Sequence, residues 1–250
     1  MANIRQTVDA SGLTASSLQT LNHAAPIAVI APHPDDESLG CGALLAACFA
    51  TTGATVICMT DGRRSHPQSR LWPGHRLAHL RQRELVDAIN TLGGNESDIR
   101  QLGYEDWATP TCGDDFEQAI EKISLWCLQS SVECVYTTCS LDEHADHKAS
   151  AAIAQEVAVR SGLRLFQYPV WSRWLCAIDQ YPSEHADTLP GVLHRFALEP
   201  WSEVKLAAVR AHRSQLGEVV RDDSSGFILP DAMVRLFTTE DEYYIESLLG

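Results

Sequence analysis

A doubly wound, mostly parallel α/β sheet with helices on both faces is the architecture that this 250-residue sequence predicts. Short apolar, β-branched runs at 27–31, 55–59 and 132–138 are too brief for helices and read as strands buried on both faces. Ala- and Leu-rich stretches of helical length alternate with them, and two end at glycines (Gly53, then Gly93 and Gly94). Two of the strands also run directly into clusters of Asp, Glu and His, where an open parallel sheet forms its ligand crevice.

Residues 1–24 are polar and rich in Ser and Thr, and read as a flexible or loosely docked arm before a domain spanning 25–250. Strand 27–31 leads through a charged segment into a helix over 39–52, then strand 55–59 ends at Thr60-Asp61-Gly62. A loop with Pro67 and Pro73 precedes an amphipathic helix at about 75–92. A weak strand (99–102), a helix (116–128), a strong strand (132–138), an Ala-rich helix ending at Val159 and a strand (163–168) follow. This β-α-β-α alternation makes one Rossmann-like domain. From about residue 170 the pattern weakens to a strand at 192–198 and a helix at about 202–216. The tail, with Phe237 and 243–245, reads as an edge strand or lid. Trp171 and Trp174 read as packing residues rather than sugar-stacking ones.

Composition excludes several function classes. With 19 Lys+Arg against 33 Asp+Glu the chain carries a net charge of −14, which argues against nucleic acid and against an anionic membrane surface. The apolar stretch at 39–59 is broken by Gly40, Gly42 and Gly53 and divides into helix and strand rather than one membrane span. The eight cysteines form no C-x-x-C and read as small buried hydrophobes of a reducing compartment; with no signal peptide visible, the reading is cytoplasmic.

Chemistry concentrates in two segments. Pro32-His33-Pro34-Asp35-Asp36-Glu37 packs three carboxylates and an imidazole behind the first strand, and adjacent carboxylates repel unless a cation relieves them. A helix-capping role for Asp35 or Asp36 would explain one acidic residue, not the group. Asp142-Glu143-His144-Ala145-Asp146-His147 follows the 132–138 strand in the same way. Its two histidines, three apart at a helix start, lie on nearly one side. His33, Asp36 and His147 then make a three-ligand metal site of the open, catalytic kind. Asp35 is the natural general base beside it, and Asp146 can orient an imidazole. Gly40-x-Gly42 with Asp61 imitates a dinucleotide fingerprint. However, it lacks the third glycine and starts too late after the strand, so the glycines read as close packing. Asp61 reads as a hydrogen-bonding support of the metal site or a turn cap. His66, His75 and His79 read as surface or loop histidines.

These motifs resemble the PIG-L/LmbE family of metal-dependent N-acetylglucosaminyl de-N-acetylases, in its bacterial form. The resemblance lies in His33–Glu37, Thr60–Gly62, His144–His147 and the Arg81-x-x-Glu84 helix. It extends through 168–171 and 212–215, to cover about residues 26–216. It implies zinc, or another divalent metal such as Fe2+, on His33, Asp36 and His147, with Asp35 as base. It further implies His144 as protonated electrophile or general acid, Arg81 as a substrate contact, and a small N-acetyl amino-sugar-like substrate. Arg63-Arg64 departs from the family pattern after Thr-Asp-Gly. Six arginines and no acidic residue lie between Gly62 and Arg83, which on the functional reading form a positive wall for an anionic substrate group. Two histidines and a carboxylate also suit a non-haem Fe(II) oxygenase, and a non-catalytic metal- or sugar-binding protein is the other alternative. Oligomeric state is left open, a homo-oligomer included.

Overall fold

The computed structural model describes residues 1–8, 13–182 and 188–249. Its elements are β1 (Ala2–Asn3), α1 (Leu18–Asn22), β2 (Ile27–Ala31), α2 (Asp36–Phe49), β3 (Ala54–Thr60), α3 (Gly74–Thr91) and β4 (Ile99–Tyr104). They continue with α4 (Gly113–Gln129), β5 (Cys134–Thr138), α5 (Ala145–Ser161), β6 (Arg164–Tyr168), α6 (Trp171–Ala177), β7 (Thr188–Leu189) and β8 (Gly191–Phe196). The chain closes with α7 (Ser202–Ala211), α8 (Asp231–Thr239) and β9 (Glu242–Ser247).

Seven strands form one sheet in the order β4-β3-β2-β5-β6-β9-β8. All pairings from β4 to β6 are parallel, and β9 is antiparallel to both β6 and β8. From β2 the chain winds outward through β3 to β4, then returns to β5 on the other side of β2. Strand order therefore reverses between β2 and β5, and the crevice of a doubly wound sheet opens there.

Side-chain alternation assigns the layers. Ile27, Val29, Val56, Cys58, Cys134, Tyr136 and Phe166 pack beneath α2, α3, α7 and α8. Ala28, Ile30, Ile57, Met59, Val135 and Leu165 face α4 and α5. Helix α2 is buried almost throughout. A side chain at Gly40 would meet the Tyr168 ring at 2.1 Å and one at Gly42 the Lys205 stem at 2.8 Å, so these glycines serve close packing. Six of the eight cysteines are buried; Cys112 is exposed and Cys176 half-buried. No helix among the described residues is long and apolar enough to cross a membrane.

Two expectations need correction. The described part of 1–24 is docked: β1 pairs with β7, Ile4 is fully buried, and Ser17 caps α1, whose Leu21 joins the main core. Among the Ser and Thr residues that suggested a loose arm, Ser17 caps α1, Thr7 Oγ1 donates to Ile4 O and Ser16 Oγ lies 3.1 Å from His194 Nδ1. The part from about residue 170, expected to supply lid or edge elements, does supply an edge strand, but that strand is β8 and not the tail. Phe237 is buried in α8, and residues 243–245 belong to β9, which lies inside the sheet with β8 outside it. Lys205 on α7 anchors β9 there: its Nζ lies 2.7 Å from Glu242 Oε1, with both side chains fully buried. The same carboxylate accepts the Ala43 and Leu44 amides of α2 at 2.8 and 2.9 Å.

Candidate active site

Residues 32–35 turn the chain sharply from β2 into α2. Asp35 stands at φ +137°, a region that L-residues avoid, directly before the helix. Three contacts hold it there. Its N–H donates to Glu37 Oε2 at 3.0 Å, Arg81 Nη2 donates to Pro34 O at 2.6 Å, and the same nitrogen reaches Asp35 Oδ2 at 3.2 Å. Glu37 is itself fully buried and accepts from Ser38 Oγ at 2.6 Å, with His212 Nε2 at 3.0 Å.

Asp36 opens α2 and collects the histidines. Its Oδ2 accepts the His33 N–H at 3.0 Å and lies 3.1 Å from His33 Nδ1 and 3.3 Å from His147 Nε2. His147 Nδ1 donates to Asp142 at 2.8 Å, while Asp142 is locked by the Val170 and Ser172 amides at 3.2 and 2.8 Å. That bond fixes the tautomer, so the neutral ring presents its Nε2 lone pair. Nε2 is buried and makes no hydrogen bond, since its approach to Asp36 has the distance but not the direction of one. His33 Nε2 lies 3.1 Å from Asp146 and 3.2 Å from Asp106. Asp146 also accepts the Trp107 and Thr109 amides at 2.7 and 3.0 Å. His144 caps α5, its Nδ1 accepting the Asp146 N–H at 3.2 Å, which leaves Nε2 to carry the proton of the neutral ring.

Ring nitrogens of His33, His144 and His147 lie within 4.8 Å of one another, as do donor atoms of His33, Asp106, His144 and Asp146. Buried carboxylates surround these rings and demand positive charge. Burial alone would lower His147, but the charge of Asp36 and the bond to Asp142 outweigh it and raise it to about 9. Burial likewise opposes the ionisation of Asp36, yet the two histidines hold its pKa far below the usual carboxylate range. A divalent cation answers the same demand. The orphaned His147 Nε2 beside imidazole and carboxylate donors fits one. Asp35 moves the other way: burial pushes it up to about 6 against the pull of Arg81. Burial and the neighbouring His33 and His147 charges push His144 down to about 4.

A cavity of about 380 Å³ opens over this cluster. His33, Asp35, Asp36, Arg81, Asp106 and His144 line it together with Trp107, Val170, Trp171, Phe227, Leu229 and Met233, so its lining is both polar and apolar. Trp171 packs on the core and also faces the cavity.

The arginine segment contributes less than expected. Asp61 touches no member of the cluster; it accepts Arg63 N at 3.0 Å and Arg63 Nε at 2.6 Å, a local turn cap. Arg63 and Arg64 both pair with Glu105, at 2.9 and 3.4 Å. Only Arg64 and Arg81 of the six line the cavity, and the Arg81 guanidinium is engaged with Gly62 O, Pro34 O and Asp35. Arg81 thus braces Asp35 while also lining the cavity. His66, expected at the surface or in a loop, is in a loop but buried. Sequence reasoning gave no role to Asp106, Asp142, Trp107 or His212. Asp106 was findable: it follows β4 as the motif segments follow β2 and β5, but that edge strand is only half-buried and its pattern is weak.

Comparison with known proteins agrees with this geometry. Residues 28–158 match the PIG-L family model, described as GlcNAc-PI de-N-acetylase. The chain is 30% identical over 206 residues to the uncharacterized deacetylase YaiS of Escherichia coli, covering 81% of this chain and 98% of that protein. It is 28% identical over 222 residues to the 1D-myo-inositol 2-acetamido-2-deoxy-alpha-D-glucopyranoside deacetylase of Saccharomonospora viridis, covering 74% and 82%. Among solved structures, the N,N'-diacetylchitobiose deacetylase of Pyrococcus horikoshii shares its fold. The TM-score is 0.63 at 18% identity, with 97% of this chain and 90% of the other covered. Teicoplanin deacetylase Orf2 shares it with a TM-score of 0.64 at 16% identity, over 89% and 97%. The chain belongs to the PIG-L family.

Proposed function

We propose that this protein is a metal-dependent amidohydrolase that removes the acetyl group from an N-acetylated amino sugar or its conjugate. The observation that carries the reading is the buried, tautomer-fixed Nε2 of His147, which makes no hydrogen bond and lies 3.3 Å from Asp36, a residue that lines the cavity with His33 and Asp35. His33, Asp36 and His147 would hold the metal, zinc or another divalent ion such as Fe2+. When bound, it supplies Lewis acidity, polarising a carbonyl and bringing the pKa of water down to about 7.

The remaining work falls to the chain itself. Asp35, buried and raised to about 6, is poised to take a proton from the attacking water near neutral pH. Arg81 and Glu37 hold its strained backbone so that the carboxylate faces the cavity. His144, capped on Nδ1 by the Asp146 amide, donates from Nε2 to the carbonyl oxygen as it gains charge. The proton on Asp35 then passes to the departing amine, which leaves as the free amino sugar with acetate as the other product. Residue types and burial here favour hydrolysis of a neutral amide with the reacting carbonyl sheltered from water.

The test is a panel of N-acetylated sugars, their conjugates and simple acetamides, assayed for equal release of acetate and primary amine without oxygen. Release from amino-sugar members is expected. Metal binding with no release from any member would leave a binding protein, and dependence on oxygen would point to iron oxygenase chemistry.

A further inference from the structure

Trp107 stands out from every other large side chain at the cavity. Its backbone is at φ +68°, a conformation costly for a bulky residue and natural for glycine. The residue is 58% exposed, yet it lines the cavity with its ring centroid 4.3 Å from the His144 ring. The backbone strain is held by the Trp107 N–H, which donates to Asp146 Oδ2 at 2.7 Å. Any residue offers that N–H, glycine with less strain, so fixing Asp146 does not account for an indole here. Core packing does not account for it either, because the residue is more than half exposed. An exposed indole in the cavity lining, beside the His144 ring, leaves a large apolar surface available to a ligand.

We propose that Trp107 is a substrate-stacking platform that selects for a pyranose ring. This rests on the amino-sugar deacetylase reading and narrows it. A gluco-configured pyranose presents a face of axial C–H groups, apolar and slightly positive, while its hydroxyls point outward in the ring plane. An indole face, apolar and electron-rich, complements that face and leaves the hydroxyls to water and to polar groups at the rim. Its contact with His144 puts the platform one ring away from the group that meets the scissile amide. A substrate seated on Trp107 would thus be gripped by its ring next to its acetamido group. Trp171, Phe227 and Leu229 also line the cavity and offer apolar surface to a further substituent.

The test compares wild type with W107G and W107F. Glycine is the informative replacement, because it accepts φ +68° and keeps the N–H that holds Asp146, so metal content and melting temperature are expected to match or exceed wild type. Kinetics are read on two substrates: N-acetylglucosamine, and N-acetylethanolamine, which has the amide and a hydroxyl but no ring. In W107G the ratio of kcat/KM for the sugar to that for the acyclic amide should fall about tenfold, mainly through KM, and W107F should retain most of it. Parallel calorimetric titration with glucosamine should show the same weakening of binding. If both substrates lose rate in step, Trp107 acts by holding His144 and the platform is refuted. An unchanged ratio refutes it equally. If wild type hydrolyses the acyclic amide and not the sugar, the amino-sugar reading fails. If it hydrolyses neither while glucosamine still binds through Trp107, the platform survives and the deacetylase reading falls.

Discussion

Replacing Glu37 by alanine should damage both stability and turnover, although Glu37 does not line the cavity. Its carboxylate is fully buried and serves three partners: the Asp35 N–H at 3.0 Å, the Ser38 hydroxyl at 2.6 Å and His212 Nε2 at 3.0 Å. Removing it orphans the buried Asp35 amide, at a cost of about 1–3 kcal/mol. It also strips the fully engulfed His212 of its counter-charge, and breaking a buried pair from one side costs about 3–5 kcal/mol in total. For a domain of this size each kcal/mol is worth about 2–4 °C, so melting should drop by roughly 6–20 °C. Asp35 would then be free to leave φ +137°, and a misplacement of about 1 Å at a reacting group costs on the order of 100-fold in rate. The assay is calorimetric unfolding with kcat measured on the folded fraction at low temperature. E37Q, which keeps an acceptor for the Asp35 amide, should lie between E37A and wild type. An E37A protein that melts within about 2 °C of wild type and turns over normally would refute the brace.

Three other outcomes follow from the same geometry. D35N should retain its metal, since Asp35 is outside the proposed ligand set, yet lose nearly all turnover; elemental analysis and acetate release on one sample check both. K205M, which leaves Glu242 buried against Ala43 and Leu44 without its ammonium, should cost about 3–5 kcal/mol in denaturant unfolding while sparing metal content. The Glu37–His212 pair has a pH signature. Burial pulls His212 down, but the Glu37 charge and hydrogen bond outweigh it, so its folded pKa lies above the unfolded value. Burial raises Glu37, and His212 outweighs that to bring it below its ordinary value. The contribution of His212 is therefore complete below its unfolded pKa, about 6.5, and fades as pH rises through the folded one; that of Glu37 is complete above about 4.5 and fades with acid. The stability gap between wild type and H212N should be widest between these values and shrink on both sides.

Much of this was legible in the sequence because strands β2, β3, β5 and β6 are buried on both faces and read as apolar runs. Parallel strands joined by helices put their charged C-terminal segments at one sheet edge, so His33, Asp35, Asp36 and His147 could be brought together before any coordinates. The illegible parts have physical reasons. Trp107 stands out only by its backbone angle, its exposure and its place beside His144, and His212 meets Glu37 across 175 positions of sequence. Arg81 and Arg63 look alike in sequence, yet one is buried against Asp35 and the other is tied to Asp61 and Glu105. Beyond Pro169 the chain abandons the βαβ alternation, and antiparallel β9 takes its place in the sheet through Lys205–Glu242, a contact no periodicity announces.

The central claim is that amide hydrolysis here runs on a metal held by His33, Asp36 and His147. Stepwise removal of metal by a chelator, followed by titration with zinc, tests it most directly when metal content and acetate release from N-acetylglucosamine conjugates are measured on the same samples. Acetate release should fall in proportion to metal lost and return as about one equivalent is restored, with H147A recovering neither. Full acetate release from protein stripped of metal, or an H147A variant that keeps both metal and rate, would contradict it.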